Sequence, residues 1–140
     1  MNIAKIMIPK VLTVVLHENN TVRQGLEVLS RCHYTAIPVL DSQGGYVGSV
    51  SEGDFLNHIM KVGSTDLREQ EQYRITDIVR KDFCPALDIE APFEVVVQAC
   101  MRQNFVPVVD GRNTLCGIVT RQKLIGALAD ACVKAQSCPR

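Results

Sequence analysis

Pro38-Val39-Leu40-Asp41, followed ten residues after its proline by Gly48-Ser49-Val50-Ser51, decides the fold, because the chain contains this pattern twice. Pro107-Val108-Val109-Asp110 is followed at the same distance by Gly117-Ile118-Val119-Thr120, an offset of 69 (107 − 38). A unit of this size is too small to bury its own core. The two copies must therefore pack against each other, with a cleft between them.

The repetition extends to the start of each unit. Residues 3–7 (Ile-Ala-Lys-Ile-Met) match residues 75–79 (Ile-Thr-Asp-Ile-Val) at an offset of 72 (75 − 3). The difference between the offsets predicts a three-residue deletion in the second copy, between Met101 and Pro107. We therefore divide the chain into a first repeat, a polar connector, a second repeat and a tail expected to be disordered. These segments are residues 1–62, 63–74, 75–134 and 135–140.

Apolar periodicity and turn residues predict the order helix, strand, helix, strand, strand, helix in each unit. Helices are predicted at residues 3–8, from 22 onward, at 52–62, 92–102 and 121–134, with part of the connector helical. Strands are predicted at residues 11–16, 36–40, 46–50, 84–89, 106–109 and 114–119. The expected core comprises Val22, Leu26, Leu29, Ile37, Val39, Val47, Val95, Val106, Val108, Ile118 and Leu124.

Composition excludes several classes of protein. The 140 residues carry a net charge of +0, which gives no electrostatic attraction to nucleic acid or an anionic membrane. No apolar run approaches the roughly 20 residues of a membrane span, and the N-terminus lacks the layout of a secretory signal. We therefore expect a cytoplasmic protein with no nucleic-acid or membrane partner.

The six cysteines and three histidines could suggest a metal site, a disulfide framework or an enzyme. No cysteine pair has the short spacing of a zinc site, so we expect reduced thiols packed as small apolar groups and no metal. No phosphate loop or nucleophile motif occurs. We expect no enzymatic activity; a small thiol enzyme using the Cys32-His33 pair is the least favoured alternative.

The repeated motifs resemble a tandem pair of cystathionine β-synthase (CBS) domains, and the resemblance extends from about residue 3 to residue 129. Two fragments carry it: the apolar–Pro–Val–apolar–Asp strand end, and Gly–apolar–x–Ser/Thr–x–x–Asp leading into a helix. The resemblance implies an α+β fold in which two β-α-β-β-α repeats, related by a pseudo-twofold axis, form one compact module. It also implies adenine nucleotides bound between the repeats as regulators, and a homodimer.

Ser51 and Thr120 precede predicted helices, where a hydroxyl and free backbone amides suit a phosphate. Asp54, three residues after Ser51, can bind both ribose hydroxyls, whereas the second repeat has Lys123 there. One intact ribose site per chain is therefore expected. The alternative is that the hydroxyls only cap helices and that Asp54 is only a first-turn acid. Lys123 could meet a phosphate or form a surface ion pair.

The resemblance implies that the ligand's adenine contacts two segments of the first repeat, residues 11–13 in the early strand and residues 34–38 up to the proline. The residues concerned are Val11, Leu12, Thr13, Tyr34, Thr35, Ala36, Ile37 and Pro38. For Leu12 and Ile37, packing in the core is the alternative. Arg121 is a forked, permanently charged donor beside the Thr120 cap and suits a phosphate. The alternative interpretation is that Arg121 is simply an exposed arginine at the start of a helix.

A closer resemblance is to the small CBS-pair proteins of Gram-positive bacteria that bind cyclic di-AMP. Lys10, Thr35, Ala36 and Arg121 match the dinucleotide-binding roles of that group. Gln122 departs from the pattern, because a second arginine is expected there. Asp54 favours AMP or ATP instead, since these offer a free ribose diol.

The sequence therefore predicts a stand-alone regulatory module that binds AMP, ATP or cyclic di-AMP between its repeats and signals to an unknown protein in trans. The nucleotide acts as a regulatory ligand, and no cofactor is expected. The main alternative is a ligand-free CBS module that serves structure or dimerisation.

Overall fold

The computed structural model describes residues 2–137 and confirms the α+β class. The helices are α1 (Ile3–Ile6), α2 (Val22–Arg31), α3 (Glu52–Val62), α4 (Leu67–Gln70), α5 (Phe93–Arg102) and α6 (Arg121–Ser137). The strands are β1 (Ile8–Pro9), β2 (Leu16–His17), β3 (Ala36–Leu40), β4 (Tyr46–Ser51), β5 (Leu87–Asp88), β6 (Phe105–Val109) and β7 (Leu115–Thr120). Short 3₁₀ turns occupy Lys10–Leu12 and Ile75–Asp77.

The strands form two sheets, one for each repeat. The first sheet has the order β2-β3-β4 and the second the order β1-β7-β6-β5. In each sheet a short strand pairs in parallel with the proline-containing strand, which pairs antiparallel with the strand that follows it. The same local topology thus occurs twice, as the repeated sequence predicts.

The segment near the start of each repeat pairs with the sheet of the other repeat. Strand β1, at the start of the chain, pairs antiparallel with β7, placing Ile8 opposite Ile118. In the equivalent place, an antiparallel bridge joins Arg80 to Ser49 in β4. The repeats are therefore connected by exchanged backbone pairing as well as by side-chain packing.

The glycine of each repeated motif permits this exchange. A Cβ atom on Gly117 would overlap the carbonyl oxygen of Ile8, and one on Gly48 would overlap the carbonyl oxygen of Arg80. Neither backbone segment could move aside without losing its pairing with the strand. Glycine is required at both positions because the crossing segment lies where a side chain would begin.

Helix α3 has the bounds that the sequence predicts. Ser51 caps it, with the Ser51 hydroxyl accepting from the Asp54 amide at 3.2 Å and the Asp54 carboxylate accepting from the Ser51 amide at 2.8 Å. Gly63 ends it in the left-handed conformation, with φ of 79°. Helix α6 extends to Ser137, beyond the predicted end at residue 134, and residues 138–140 of the expected disordered tail lie outside the described residues.

Three predicted elements near the starts of the repeats are wrong. The helix at residues 3–8 ends at Ile6, because the next residues form β1. Residues 11–16 and 84–89 are not continuous strands: β2 begins only at Leu16, and 84–89 contains only the two residues of β5. In the first case Pro9 precedes a tight turn that is closed by the Thr13 hydroxyl, which donates to the Pro9 carbonyl at 2.8 Å. Tertiary context overrides the β preference of Val11.

The repeats also align differently from the prediction. Helices α2 and α5 are offset by 71 residues (93 − 22), and strands β3 and β6 by 69 (105 − 36). The loop between helix and strand is therefore shorter by two residues in the second copy. The third deleted residue lies upstream of α5, so only part of the deletion falls between Met101 and Pro107.

Each repeat has its own main core, and the two cores meet through a third, smaller cluster. The first contains Leu16, Val22, Ile37, Val39, Val50, Phe55 and Ile75, and the second Ile3, Ile6, Val96, Cys100, Val106, Val108, Val119 and Leu124. Ala36, Cys84, Phe105 and Ile118 form the cluster between them. The core prediction is wrong for Val95, which is 39% exposed, because Val96 is the residue of α5 that faces the sheet. Leu26, Leu29 and Val47 are half-buried at the edge of the first core.

Candidate functional site

A cavity of about 120 Å³ lies between the two repeats and is lined by residues from both. We name it the first cleft. Its lining consists of Ile8, Leu12, Thr13, Val14, Tyr34, Thr35, Ala36, Pro38, Asn104, Phe105, Ile118 and Thr120. The lining is mostly apolar, and the polar groups come from threonine, asparagine and tyrosine side chains and from backbone.

Strand exchange builds this cleft. Because β1 pairs with β7, the 3₁₀ turn after β1 holds Leu12 and Thr13 against the strand that ends at Thr120. The start of β3 supplies the opposite wall. There the Thr35 carbonyl accepts from the Glu52 amide at 3.0 Å, which fixes the backbone in front of Ala36.

Half of the predicted ligand-binding residues meet in the first cleft. These are Leu12, Thr13, Tyr34, Thr35, Ala36, Pro38 and Thr120. Of these, Leu12 is 71% exposed, so its alternative assignment to the core is wrong.

The other predicted residues lie outside the lining. Ile37 is 1% exposed in the first core, and Val11 points to solvent with 89% exposure. Lys10 places its ammonium beside Gly44, 3.4 Å from where a Cβ of that residue would lie. Lys123 is exposed, and its backbone amide donates to the Thr120 hydroxyl at 3.2 Å.

Arg121 lies one hydrogen bond away from the lining. Its Nε donates to the Cys100 carbonyl at 2.7 Å, and its Nη1 donates to Asn104 Oδ1 at 3.1 Å. Asn104 in turn donates from Nδ2 to Thr35 Oγ1 at 3.4 Å. Arg121 is thus connected through the side-chain amide of Asn104 to the hydroxyl of Thr35 in the opposite repeat.

Five lining residues were missed by the sequence analysis: Ile8, Val14, Asn104, Phe105 and Ile118. The 69-residue offset could have found two of them. It relates Asn104 to Thr35 and Phe105 to Ala36, so the residues before the second proline could have been expected to face those before the first. Ile8 and Ile118 follow only from the exchanged strand pairing.

Ser51 and Asp54 do not join the first cleft. Asp54 Oδ2 accepts from the amide of Ser51 at 2.8 Å and from its hydroxyl at 3.0 Å. Asp54 Oδ1 forms an ion pair with Arg80 Nε at 2.8 Å. Neither residue lines the first cleft, although Ser51 pairs with Ala36 in the sheet, and Asp54 instead lines a separate cavity of about 620 Å³.

Burial also affects several ionisable groups. It raises the pKa of the Tyr46 hydroxyl, which donates to the Cys84 carbonyl at 2.6 Å and is 2.7 Å from the Ser49 hydroxyl. Burial likewise raises the pKa of the thiols of Cys84, Cys100 and Cys116. These thiols stay protonated at neutral pH, which is unfavourable for a nucleophile.

Residues 2–137 are the part of the chain that the structure describes. Within that range, no three His, Cys, Asp or Glu side chains are grouped so that they could hold a metal ion. No helix in the same range is long and apolar enough to cross a membrane.

The CBS domain family matches the chain twice, at residues 3–61 and 75–130. Cyclic di-AMP receptor B of Bacillus subtilis (strain 168) is 27% identical over 109 residues, which are 78% of this chain and 74% of that protein. Inosine-5'-monophosphate dehydrogenase of Methanocaldococcus jannaschii is 24% identical over 122 residues, or 86% of this chain. The chain spans only 22% of the length of that enzyme.

Solved structures show the same fold. CbpB in complex with c-di-AMP superposes with a TM-score of 0.88 at 20% identity, covering 97% of this chain and 89% of that one. Listeria monocytogenes CbpB in complex with c-di-AMP gives 0.80 at 26% identity, covering 91% and 95%. CBSX2 in complex with AMP gives 0.74 at 23% identity, covering 93% and 97%. The doubled motif, the exchanged strands and the two family matches agree, and the chain belongs to the CBS domain family.

Proposed function

We propose that this protein is a regulatory receptor for an adenine nucleotide, which binds in the first cleft and changes what a partner protein recognises. The observation that carries the proposal is the first cleft itself. It is a cavity with apolar walls from both repeats and hydroxyl groups at Thr35 and Thr120. A purine base requires such a slot, with polar groups at its edges.

The size of the cavity limits what it encloses. Its volume of about 120 Å³ is well below the roughly 300 Å³ at which pockets for whole small-molecule ligands begin. We therefore assign one base to the cavity, beside Ala36 and the half-exposed ring of Tyr34. The sugar and phosphates lie outside it.

The N-terminus of α6 is the phosphate position in this proposal. Thr120 lines the cleft and directly precedes α6, a helix of 17 residues whose first-turn amides lack partners within the helix. Arg121 is an exposed residue next to it, and with Nε still bonded to the Cys100 carbonyl its terminal nitrogens can reach an anion once the bond to Asn104 is released. A guanidinium and a helix N-terminus together favour a phosphate group.

Cyclic di-AMP fits this cleft better than AMP or ATP. The carboxylate that would bind a free ribose diol, Asp54, does not line the first cleft, and Lys123 takes its place beside Thr120. A cation there can contact a phosphate, and it gives no preference for the 2′,3′-diol that AMP and ATP offer and a 3′,5′-linked dinucleotide does not. The relatives from Bacillus subtilis and Listeria monocytogenes, named for cyclic di-AMP, support this choice.

Regulation follows from the position of the ligand between the repeats. A base inserted beside Thr35 and Asn104 contacts both halves, so it stabilises the arrangement in which these contacts are best. A ligand shifts an equilibrium only by its differential affinity for the two states. The partner protein would read that difference in trans, and the chain itself would have no catalytic role.

We also propose that the protein acts as a homodimer. Helix α3 exposes Leu56 and Met60, and α6 exposes Ile125 and Leu128, all at helical spacing. Leu56 and Ile125 are equivalent in the two repeats, so the pseudo-twofold axis presents two similar apolar helix faces. A second copy of the chain could cover both faces through one symmetric interface.

Isothermal titration calorimetry with cyclic di-AMP, AMP and ATP tests the proposal, with melting temperatures as a second readout. Binding of cyclic di-AMP that is lost when Ala36 is replaced by Phe supports it. Ala36→Phe introduces the residue that the second repeat has at the equivalent position, and circular dichroism checks that the variant is folded. If folded wild-type protein binds none of the three nucleotides, the ligand-free dimerisation module becomes the better assignment.

A further inference from the structure

The module has a second cleft, related to the first by the repeat. It has an ion pair where the first cleft has an apolar residue. A cavity of about 350 Å³ lies there, lined by Phe83, Cys84, Pro85, Arg102, Gln103 and Asn104. Arg80, near the start of the second repeat, lies at its rim with the guanidinium over the Phe83 ring. We name the cavity and this rim the second cleft.

The backbone of Arg80 is fixed in position. Its amide donates to the Ser49 carbonyl at 3.1 Å, and the Ser49 amide donates to the Arg80 carbonyl at 3.1 Å. Gly48 makes this close approach possible, because any side chain there would overlap the Arg80 carbonyl. The arginine side chain therefore starts from a defined point above β4.

Three groups hold the guanidinium. Nε is 2.8 Å from Asp54 Oδ1, and Nη2 donates to the Ser51 hydroxyl at 3.3 Å. The guanidinium carbon lies 3.9 Å from the centre of the Phe83 ring, in cation–π contact. The Phe83 ring also lines the 350 Å³ cavity, so the arginine joins the carboxylate to the wall of the cleft.

The first cleft serves as an internal comparison. Ile8 pairs with Ile118 there as Arg80 pairs with Ser49 here, and Lys123 stands where this cleft has Asp54. The first cleft thus has an apolar residue at the position of Arg80 and no acid for an arginine to meet. The ion pair is specific to the second cleft.

Both oxygens of the Asp54 carboxylate are occupied. Oδ2 accepts two hydrogen bonds from Ser51, and Oδ1 is paired with Arg80. The Asp54 side chain is only 11% exposed, whereas that of Arg80 is 47% exposed. Asp54 also lines a separate cavity of about 620 Å³ with His58 and Tyr73. A ligand that approaches this carboxylate from the second cleft must first displace the arginine, which has a charge-assisted bond and an aromatic contact to lose.

We propose that Arg80 is a built-in occupant of the second cleft that keeps nucleosides away from Asp54, so that each chain has one working nucleotide site. The class of ligand it excludes is the nucleoside monophosphate with a free 2′,3′-diol. Two vicinal hydroxyls can bind a carboxylate as the guanidinium now does, and the Phe83 ring offers a face for the base. Removing the arginine uncovers this site.

Arg80→Gln tests the inference, with Lys81→Gln as the matched control. The control removes the same charge from the neighbouring exposed residue. Calorimetric titration with AMP should show one additional site per chain in Arg80→Gln compared with wild type, and no additional site in Lys81→Gln. The additional site should disappear with 2′-deoxy-AMP and in the double variant Arg80→Gln/Asp54→Asn. The prediction concerns a difference of one site, so it holds whatever the first cleft binds.

Two results overturn the inference. One is an Arg80→Gln protein that unfolds cooperatively, as wild type does, but gains no AMP site. The other is a wild-type protein whose AMP binding already depends on Asp54. If Arg80→Gln does not fold, a wild-type measurement decides: the Arg80 Nε proton should be visible by NMR at pH 7, protected by its bond to Asp54. An Nε proton that exchanges as fast as those of exposed arginines contradicts the closed cleft.

Discussion

Thr35 and Asn104 occupy the same position in the two repeats, and their side chains meet at the first cleft with Asn104 Nδ2 3.4 Å from Thr35 Oγ1. Each is the residue before a buried strand, and each lines the cavity. The contact is therefore a direct connection between the halves of the module at the place where we propose that a base binds.

Thr35→Val should weaken binding of cyclic di-AMP by roughly five- to tenfold, the effect of one neutral hydrogen bond. The substitution keeps the shape of the side chain but removes the hydroxyl that can bind the base or Asn104. Calorimetry measures the change, and Thr76→Val, on an exposed threonine of the 3₁₀ turn Ile75–Asp77, serves as the control. Equal affinity in Thr35→Val and wild type would show that this hydroxyl does not contact the ligand.

Arg121→Gln should weaken the same binding by roughly 10- to 100-fold, because a charged hydrogen bond to phosphate is stronger than a neutral one. Asp54→Asn should leave it unchanged, since Asp54 is paired with Arg80 outside the first cleft. The two variants are compared by titration at the same ionic strength. A large loss in Asp54→Asn with little change in Arg121→Gln would instead indicate that Asp54 binds the ribose and that the nucleotide lies in the second cleft.

Gly25→Ala should lower the free energy of unfolding by about 1–3 kcal/mol. A Cβ at Gly25 in α2 would lie 2.8 Å from Ile75 Cδ1 and 2.9 Å from the Phe55 ring, both fully buried. Gly126 is also helical, but a Cβ there meets nothing within 4 Å. Gly126→Ala should therefore raise the free energy of unfolding by about 0.5–1 kcal/mol. Urea denaturation of both variants checks the pair, and equal effects would contradict the packing described.

Stability should fall as the pH rises above about 9. Burial raises the pKa of Cys84, Cys100 and Tyr46 in the folded protein, while the unfolded chain loses these protons near pH 9 and 10. The folded state then binds more protons than the unfolded state, so the free energy of unfolding decreases with pH, by at most about 1.4 kcal/mol per pH unit for each group.

Urea denaturation at several pH values between 7 and 11 measures this slope. Tyr46→Phe removes one of the groups, so its slope above pH 10 should be smaller than that of wild type, even though its stability at pH 7 is also lower. An unchanged slope in Tyr46→Phe would show that the hydroxyl titrates alike in both states.

The double variant Leu56→Glu/Ile125→Glu should be monomeric if the exposed faces of α3 and α6 form a dimer interface. Leu56 is 58% exposed and Ile125 is 64% exposed, so the charges should cost the monomer little stability. Light scattering after size-exclusion chromatography gives the mass. Leu67→Glu, on a connector leucine that is 43% exposed, is the control and should remain dimeric. A monomeric wild type would rule out this proposed dimer.

The elements that the sequence predicts well are those fixed by neighbouring residues. Helix α3 has a capping serine at one end and a left-handed glycine at the other, and strand β3 is a continuous apolar run, so both could be read locally. Residues 11–16 could not, because their conformation depends on Pro9 and on pairing with β7, more than 100 residues away.

The residues of the candidate site also divide into those that the local sequence predicts and those that depend on distant segments. Thr35, Ala36 and Thr120 were found because the repeated motif marks them. The pairing of Asp54 with Arg80 could not be found, because Arg80 lies outside both motifs and reaches Asp54 through the exchange of chain segments. A motif gives the residues on one strand but not the segment that crosses over it.

The exchanged pairing of β1 with β7, and of Arg80 with Ser49, means that neither half of the duplication is a complete folding unit. A chain cut within the connector would leave each fragment without the segment that pairs beside its motif glycine. Two such fragments would recover the fold only together, each supplying what the other lacks. An ancestor with a single repeat would have met the same need by pairing two copies, and the gene duplication then made that association permanent within one chain.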